Sequence, residues 1–168
     1  MSGYLTPDEV TAFQRDGYFM KRRAISTAHA SDCRRRLEAM EDSLQEDCNK
    51  RMKIKAHVVS PWMVDLARNP IILDAVESLL GPNIMLFGSS MFAKAAQSDR
   101  FVSWHQDSAY YGLKPNDSVT VWLAFTPSNK SNGGLRVLPG SHLGDDLEHD
   151  ETYDKEPACQ RPDNPWRG

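Results

Sequence analysis

Long apolar runs, paired cysteines and a large net charge are all missing from this sequence of 168 residues. A membrane-spanning helix needs about 18 or more consecutive apolar residues, and no such run occurs. The first residues show no basic segment followed by an apolar one, so we expect no secretory signal. The chain has three cysteines, Cys33, Cys48 and Cys159, and no two of them form a CxxC motif. An odd number of unpaired cysteines favours reduced thiols over disulfides. Together these absences predict a cytoplasmic protein.

The negative charge of the chain is concentrated near its C-terminal end. Residues 143–168 carry 3 basic and 8 acidic side chains, three prolines and few large apolar residues. Such a composition buries little surface. We therefore expect one domain over residues 1–142 and an acidic, proline-containing loop or tail over 143–168. Three consecutive basic side chains occur only at 21–23 and 34–36, so nucleic-acid binding is not expected.

Cap signals and apolar spacing predict three helices, followed by short strands. The helices would run from Thr6 to Gly17, from Ser26 to about Asn49 and from Asn69 to Gly81. Short apolar runs typical of strands occupy residues 17–20, 57–59, 84–87, 90–93, 101–105, 119–125 and 135–138. Helices first and strands later predict an α+β fold with a mainly antiparallel sheet or partial barrel.

The run Trp-His-Gln-Asp at 104–107 carries the most chemical information. On a strand, side chains two residues apart point to the same side, so His105 and Asp107 would lie together. An imidazole and a carboxylate are two of the three ligands in the two-His-one-carboxylate triad that binds Fe(II). Taken alone, the pair fits better a strand-end histidine hydrogen-bonded to a nearby acid. His149 and Glu151 repeat the same spacing in the acidic tail. The motif alone therefore does not decide between a metal site and a hydrogen-bonded pair.

Three further segments accompany that run in a fixed order along the chain. They are the Leu-Thr-Pro-Asp-Glu-Val opening at 5–10, Val-Trp-Leu-Ala-Phe at 121–125 and Asn-Gly-Gly-Leu-Arg-Val-Leu-Pro-Gly-Ser-His at 132–142. With these four segments the chain resembles the phytanoyl-CoA dioxygenase family of Fe(II)/2-oxoglutarate oxygenases over about residues 4–142. The resemblance implies N-terminal helices packed on a double-stranded β-helix of the jelly-roll or cupin-like type, incomplete at the C-terminus.

The resemblance also implies a set of site residues. His105 and Asp107 would be the iron ligands and the catalytic residues, while Gln106 and Trp122 would line the 2-oxoglutarate pocket. Trp122 equally fits a core aromatic side chain in an apolar strand. Lys94 either faces the anionic co-substrate or extends over the surface. The implied cofactor is Fe(II), the co-substrates are 2-oxoglutarate and O₂, and the partner is a small-molecule substrate; the oligomeric state stays open.

The resemblance further implies the reaction class. Related enzymes that halogenate carbon lack the metal carboxylate, whereas Asp107 fills that position in this sequence. Hydroxylation of a small or lipid-like organic substrate, with decarboxylation of 2-oxoglutarate to succinate, is therefore the expected activity. Two alternatives remain: a jelly-roll binding or interaction module without a complete site, and a cupin-like metalloenzyme that uses another metal.

The family supplies a distal histidine ligand and an arginine for the far carboxylate of 2-oxoglutarate, and neither can be assigned in this sequence. His142 belongs to the Pro-Gly-Ser-His segment that precedes the distal ligand in the family. His149 has no strand-like surroundings, and Arg161 and Arg167 lie among prolines. The chain is therefore either the N-terminal part of a longer oxygenase, which we expect, or a short member with an incomplete site.

Overall fold

Helices dominate the part of the chain that the computed structural model describes, namely residues 5–20, 23–94, 96–97, 102–115, 117–145 and 147. The α-helices in these residues are α1 Pro7–Asp16, α2 Thr27–Leu44, α3 Cys48–Arg51, α4 Ala56–Val59, α5 Pro61–Ala67, α6 Pro70–Leu80 and α7 Ser108–Tyr111. Two 3₁₀ turns follow at Lys130–Asn132 and Ser141–Leu143. None of the helices in these ranges combines the length and apolar character needed to cross a membrane.

The three predicted helices are confirmed as α1, α2 and α6, and their N-termini follow the cap signals. At the start of α1 the Thr6 hydroxyl accepts the Glu9 N–H at 3.3 Å, and the Glu9 carboxylate accepts the Thr6 N–H at 2.8 Å. This reciprocal pair satisfies two backbone donors that the first helical turn leaves without partners. Helix α2 is shorter than predicted, because Gln45 adopts a left-handed conformation with φ 51° directly after Leu44.

The predicted strand at 57–59 is wrong, since this segment belongs to helix α4. Ala56 is fully buried whereas Val58 and Val59 are exposed, a one-sided burial that suits one helical turn on a core. A three-residue apolar run is too short for periodicity to separate helix from strand. Helix α5 was not predicted, although Pro61 at its first position is the same start signal that identified α6.

A small core of buried apolar side chains joins the helices to the chain that follows them. Its buried members are Leu37, Met52, Ala56 and Met63, and Met40, Trp62, Met91 and Phe125 pack against them. Backbone hydrogen bonds attach the segment after α6 to the same core. The Ala56 N–H donates to the Ser89 carbonyl and the Met91 N–H donates to the Met52 carbonyl, each at 2.9 Å. The helical layer therefore provides the support on which residues 83–94 lie.

The other predicted strands form no hydrogen-bonded ladder among the described residues. Residues 83–94, 102–106, 117–124 and 134–138 have no regular secondary structure, and Phe101 lies outside the described residues. A strand exists only where a neighbouring strand completes its backbone hydrogen bonds. The α part of the predicted α+β fold is thus confirmed, and the double-stranded β-helix is not.

Apolar side chains are exposed along these irregular segments. The most prominent are Met85, Leu86, Phe87, Phe92, Val102, Val121, Trp122, Leu135 and Val137. Large apolar side chains exposed in this number indicate an interaction site or a face that another part of a folded protein covers.

The Pro-Gly-Ser-His segment at 139–142 binds the C-terminal end of α1. The His142 Nε2–H donates to the Gln14 carbonyl at 2.9 Å, and the Gly140 N–H donates to the Asp16 carbonyl at 2.8 Å. The last carbonyls of a helix lack intrahelical partners, so these two donors stabilise the end of α1. The predicted domain boundary at 142/143 follows directly after this contact and stays a prediction, because residues 151–168 lie outside the described residues.

Both described cysteines are expected to resist thiol reagents in the folded protein. Cys33 and Cys48 are each 1% exposed. Burial, with the Glu41 carboxylate alongside, raises the pKa of Cys48 to about 12, and burial raises the pKa of Cys33. At pH 8 both groups stay protonated, and the protonated thiol is a poor nucleophile.

The measurement is the reaction of a Cys159→Ser variant with Ellman's reagent at pH 8, with and without denaturant. We expect slow reaction in the native protein and rapid reaction of two thiols after unfolding. Immediate native reaction of either thiol would contradict the burial described above.

Candidate metal centre

His105 and Asp107 lie side by side at one wall of a broad open cavity of about 2790 Å³. The His105 Nε2 and Asp107 Oδ1 atoms are 3.1 Å apart. The two-residue spacing thus brings the pair together as predicted. The local backbone differs from the prediction, however, because Asp107 has helical dihedral angles and stands at the start of α7.

The second ring nitrogen of His105 fixes the chemistry of the pair. Its Nδ1 lies 2.8 Å from the Ser103 carbonyl, which can only accept, so Nδ1 carries the hydrogen. In the neutral ring Nε2 then presents a lone pair to the Asp107 carboxylate, and two acceptors face each other. Either a second proton on His105 or a cation bound by both atoms relieves this contact.

The separation and the chemistry of the two donor atoms, His105 Nε2 and Asp107 Oδ1, fit a bound metal ion. Two donor atoms bound side by side to one ion at about 2.1 Å lie about 3 Å apart, close to the separation of Nε2 and Oδ1. An Nδ1–H donated to a backbone carbonyl is the usual way in which a metal-binding histidine is oriented. An imidazole with a carboxylate suits Fe(II) among other divalent metals. His105 and Asp107 are therefore suitable for two of the ligand positions.

Asp107 does not do what an aspartate at a helix N-terminus usually does. Such a side chain commonly accepts a backbone N–H of the first turn, yet Asp107 caps no N–H of α7. Its Oδ1 faces His105 instead, and its Oδ2 accepts the Thr120 hydroxyl at 2.7 Å and the Tyr111 hydroxyl at 3.2 Å. The carboxylate is thus diverted from local helix stabilisation to contacts with the other side chains of the site.

These contacts shift the proton affinities of both groups. The hydrogen bond with His105 is the main cause that lowers the pKa of Asp107 to about 2, and the Thr120 and Tyr111 hydroxyls lower it further. The same bond raises the pKa of His105 above its usual range. Asp107 is therefore an anion throughout the physiological range, as a carboxylate ligand must be.

The other predicted site residues are found in different places. Trp122 is 47% exposed and lines the same open cavity as the pair, and Lys94 also lines this cavity. The side-chain amide of Gln106 instead binds the backbone at two points, one within the Pro-Gly-Ser-His segment and one beyond it. Its Nε2 donates to the Ser141 carbonyl at 3.5 Å, and its Oε1 accepts the Leu147 N–H at 2.8 Å. The role of each in binding 2-oxoglutarate stays a prediction.

Ser103, Tyr111 and Thr120 were not among the predicted metal-binding or cofactor-binding residues. Thr120 precedes Trp122 by two residues, so alternation along an extended segment places both on one side. Tyr111 follows Asp107 by four residues, the spacing of one helical turn. Both signals depend on the local structure, and the sequence alone predicted a strand through 105 and no helix at 108–111.

A third ligand is not found beside the pair within the described ranges. No other histidine, cysteine, aspartate or glutamate there forms a three-residue cluster with His105 and Asp107. His142 is bound to the end of α1. His149, Arg161 and Arg167 lie outside the described residues.

Comparison with known proteins finds relatives that are named dioxygenases. The family model for phytanoyl-CoA dioxygenase (PhyH) matches residues 2–167. An ectoine dioxygenase of Bordetella parapertussis is 24% identical over 153 residues, covering 82% of this chain and 50% of that protein. Human peroxisomal phytanoyl-CoA dioxygenase is 38% identical over 85 residues, covering 48% and 25% respectively.

A third relative, from Stutzerimonas stutzeri, is named "Probable alpha-ketoglutarate-dependent hypophosphite dioxygenase". It is 36% identical over 93 residues, covering 55% of this chain and 32% of that protein. No solved structure matches significantly. The chain spans about half the length of the ectoine dioxygenases it matches, and less of the other two relatives. Because the family model covers nearly all of its residues, the chain belongs to the phytanoyl-CoA dioxygenase (PhyH) family.

Proposed function

We propose that this chain is part of an Fe(II)- and 2-oxoglutarate-dependent dioxygenase that hydroxylates a small or lipid-like organic substrate. The observation that carries the proposal is the pair of His105 Nε2 and Asp107 Oδ1 at 3.1 Å, with Nδ1 committed to the Ser103 carbonyl. Membership of a family whose relatives are named dioxygenases supports the reaction class. The proposed overall reaction consumes substrate, 2-oxoglutarate and O₂, and yields hydroxylated substrate, succinate and CO₂.

In this proposal each residue has a separate task. Bound Fe(II), together with 2-oxoglutarate, supplies the activation of O₂ that amino-acid side chains cannot provide. His105 and Asp107 hold the metal, with Asp107 contributing the negative charge. Trp122 forms an apolar wall for 2-oxoglutarate, and Lys94 offers a positive charge to its carboxylate from the same cavity. Gln106 is proposed to help line the 2-oxoglutarate pocket, while its amide binds the backbone at 141 and 147.

We propose the jelly-roll as the complete fold, with residues 83–94, 102–106, 117–124 and 134–138 as its strands. Two observations support this. These segments expose apolar side chains that a second layer would cover, and the chain spans about half of its ectoine dioxygenase relatives. The remaining strands would come from the half of a full-length family member that this chain does not include. The domain over 1–142 and the loop over 143–168 belong to the same proposal.

The substrate is proposed only as a small or lipid-like organic molecule. The relatives are named for ectoine, phytanoyl-CoA and hypophosphite, which have little chemistry in common. Within a family that tolerates such a range, the identity of the substrate depends on side chains other than the metal ligands. Cytoplasmic location likewise stays a prediction.

Chelation tests the proposed activity. We expect a full-length protein that contains this sequence to convert 2-oxoglutarate to succinate when Fe(II) and O₂ are present. An excess of EDTA should reduce succinate formation to the rate without enzyme, because the side chains alone cannot activate O₂. Added Fe(II) should restore it.

The outcome also separates the alternatives. Succinate formation that is unaffected by EDTA would contradict the proposal. A folded protein that binds neither Fe(II) nor 2-oxoglutarate would instead be a binding module without a complete site. Turnover of some substrate that depends on another metal and not on 2-oxoglutarate would indicate a cupin-like metalloenzyme.

A further inference from the structure

The geometry points to Thr120 and Tyr111 as positioning residues that orient the Asp107 carboxylate for metal binding. Both hydroxyls donate to the same oxygen, Oδ2, at 2.7 Å for Thr120 and 3.2 Å for Tyr111. The other oxygen, Oδ1, faces His105 Nε2. The inference rests on the proposed function, since it assigns a role to residues around the proposed ligand.

Two donors on one oxygen restrict how the carboxylate can turn. A carboxylate without such partners rotates about its last side-chain bond and exchanges its two oxygens. Here rotation would break two hydrogen bonds to an ionised acceptor, which are stronger than bonds between neutral groups. The two hydroxyls therefore keep Oδ2 away from His105 Nε2, beside which a metal ion would bind. Asp107 would then bind a metal ion through Oδ1 alone, which would leave other ligand positions for the co-substrates.

The two donors come from different parts of the chain. Tyr111 is the last residue of α7, one helical turn after Asp107, and its ring packs on Phe87 with the centroids 5.3 Å apart. Thr120 comes from the segment at 117–124. The contact from Thr120 thus links that segment to the metal motif, thirteen residues earlier in the sequence. Partners of this kind around a metal ligand commonly change metal affinity by about 10- to 100-fold.

The test compares Fe(II) affinity among variants of a full-length protein containing this sequence, by calorimetric titration without O₂. Thr120→Val keeps the shape of the side chain and removes the hydroxyl, so we expect a dissociation constant about 10-fold or more above the original. Tyr111→Phe should have a smaller effect, because its bond to Oδ2 is longer. Thr120→Ser keeps the hydroxyl and should restore most of the affinity.

Matched controls remove the same chemical groups elsewhere. Thr11→Val deletes a hydroxyl that donates to the Pro7 carbonyl within α1, and Tyr18→Phe deletes a phenol directly after α1. Both should bind Fe(II) like the original protein. The unfolding midpoint of each metal-free variant is recorded alongside, because a merely structural role of Thr120 would lower that midpoint and leave the affinity of the folded protein unchanged.

The outcomes separate this inference from the proposed function. Weaker Fe(II) binding in Thr120→Val with recovery in Thr120→Ser supports the positioning role. Equal Fe(II) affinity in Thr120→Val and the original protein overturns it, and leaves the proposed function in place. Failure of the original protein to bind Fe(II) at all overturns both.

Discussion

Replacing Asp107 with alanine is expected to lower Fe(II)-dependent succinate formation by more than about 100-fold. Loss of a residue that only supports a ligand typically costs 10- to 100-fold in affinity or activity, and loss of the ligand itself should cost more. The variant removes the negative charge of the site and leaves His105 Nε2 without its neighbour at 3.1 Å. Asp107→Asn should behave similarly, because an amide keeps the shape and loses the charge. The measurement is the initial rate of succinate production.

A matched aspartate provides the control for this experiment. Asp65 is exposed on α5 and does not line the open cavity, so Asp65→Ala should keep the full rate. If Asp107→Ala and Asp107→Asn turned over 2-oxoglutarate as fast as Asp65→Ala does, Asp107 would not be a metal ligand.

The second large effect is expected at Gly17, where α1 meets the Pro-Gly-Ser-His segment. Gly17 has φ 77°, a left-handed conformation, and a Cβ atom added there would overlap the imidazole ring of His142. The left-handed backbone alone costs a non-glycine residue about 1–2 kcal/mol. Displacing His142 also breaks its hydrogen bond to Gln14, worth about 1 kcal/mol. We therefore expect Gly17→Ala to lower the free energy of unfolding by about 2–3 kcal/mol, measured by urea denaturation.

Two further variants separate the steric contact from the backbone cost. Gly112 is also left-handed, with φ 60°, but nothing lies within 4 Å of an added Cβ, so Gly112→Ala reports the backbone cost alone. Adding His142→Ala to Gly17→Ala should remove the clash, so the double variant should lose less than the two single losses combined. Strict additivity of the two substitutions would contradict the contact between His142 and Gly17.

The helices were predictable because their signals are local. Thr6 with Glu9 and Asn69 with Pro70 encode helix starts within four residues of chain, and the structure contains both. The strands were not confirmed, because a strand depends on a partner that sequence periodicity cannot supply. Residues 57–59 show the limit of short apolar runs: their burial pattern is decided by Ala56 on the core.

In the candidate site, too, the local contacts could be predicted and the contacts between distant segments could not. Close contact of His105 with Asp107 followed from a spacing of two residues, and it holds although Asp107 begins a helix rather than continuing a strand. Thr120 could not be predicted, since its bond to Asp107 depends on how a separate segment packs against the motif. For Gln106, family resemblance predicts a place at the 2-oxoglutarate pocket, which stays a prediction, and in the described structure its amide binds the backbone at 141 and 147.

Binding of Fe(II) in the absence of O₂ tests the central claim most directly. A full-length protein that contains this sequence is titrated with Fe(II) by calorimetry, beside its His105→Ala variant. The account predicts saturable binding at a single site, weakened by more than about 100-fold in the variant, because Nε2 is a direct donor to the metal. Equal Fe(II) binding by the two proteins would contradict the assignment of His105 and Asp107 as the metal centre.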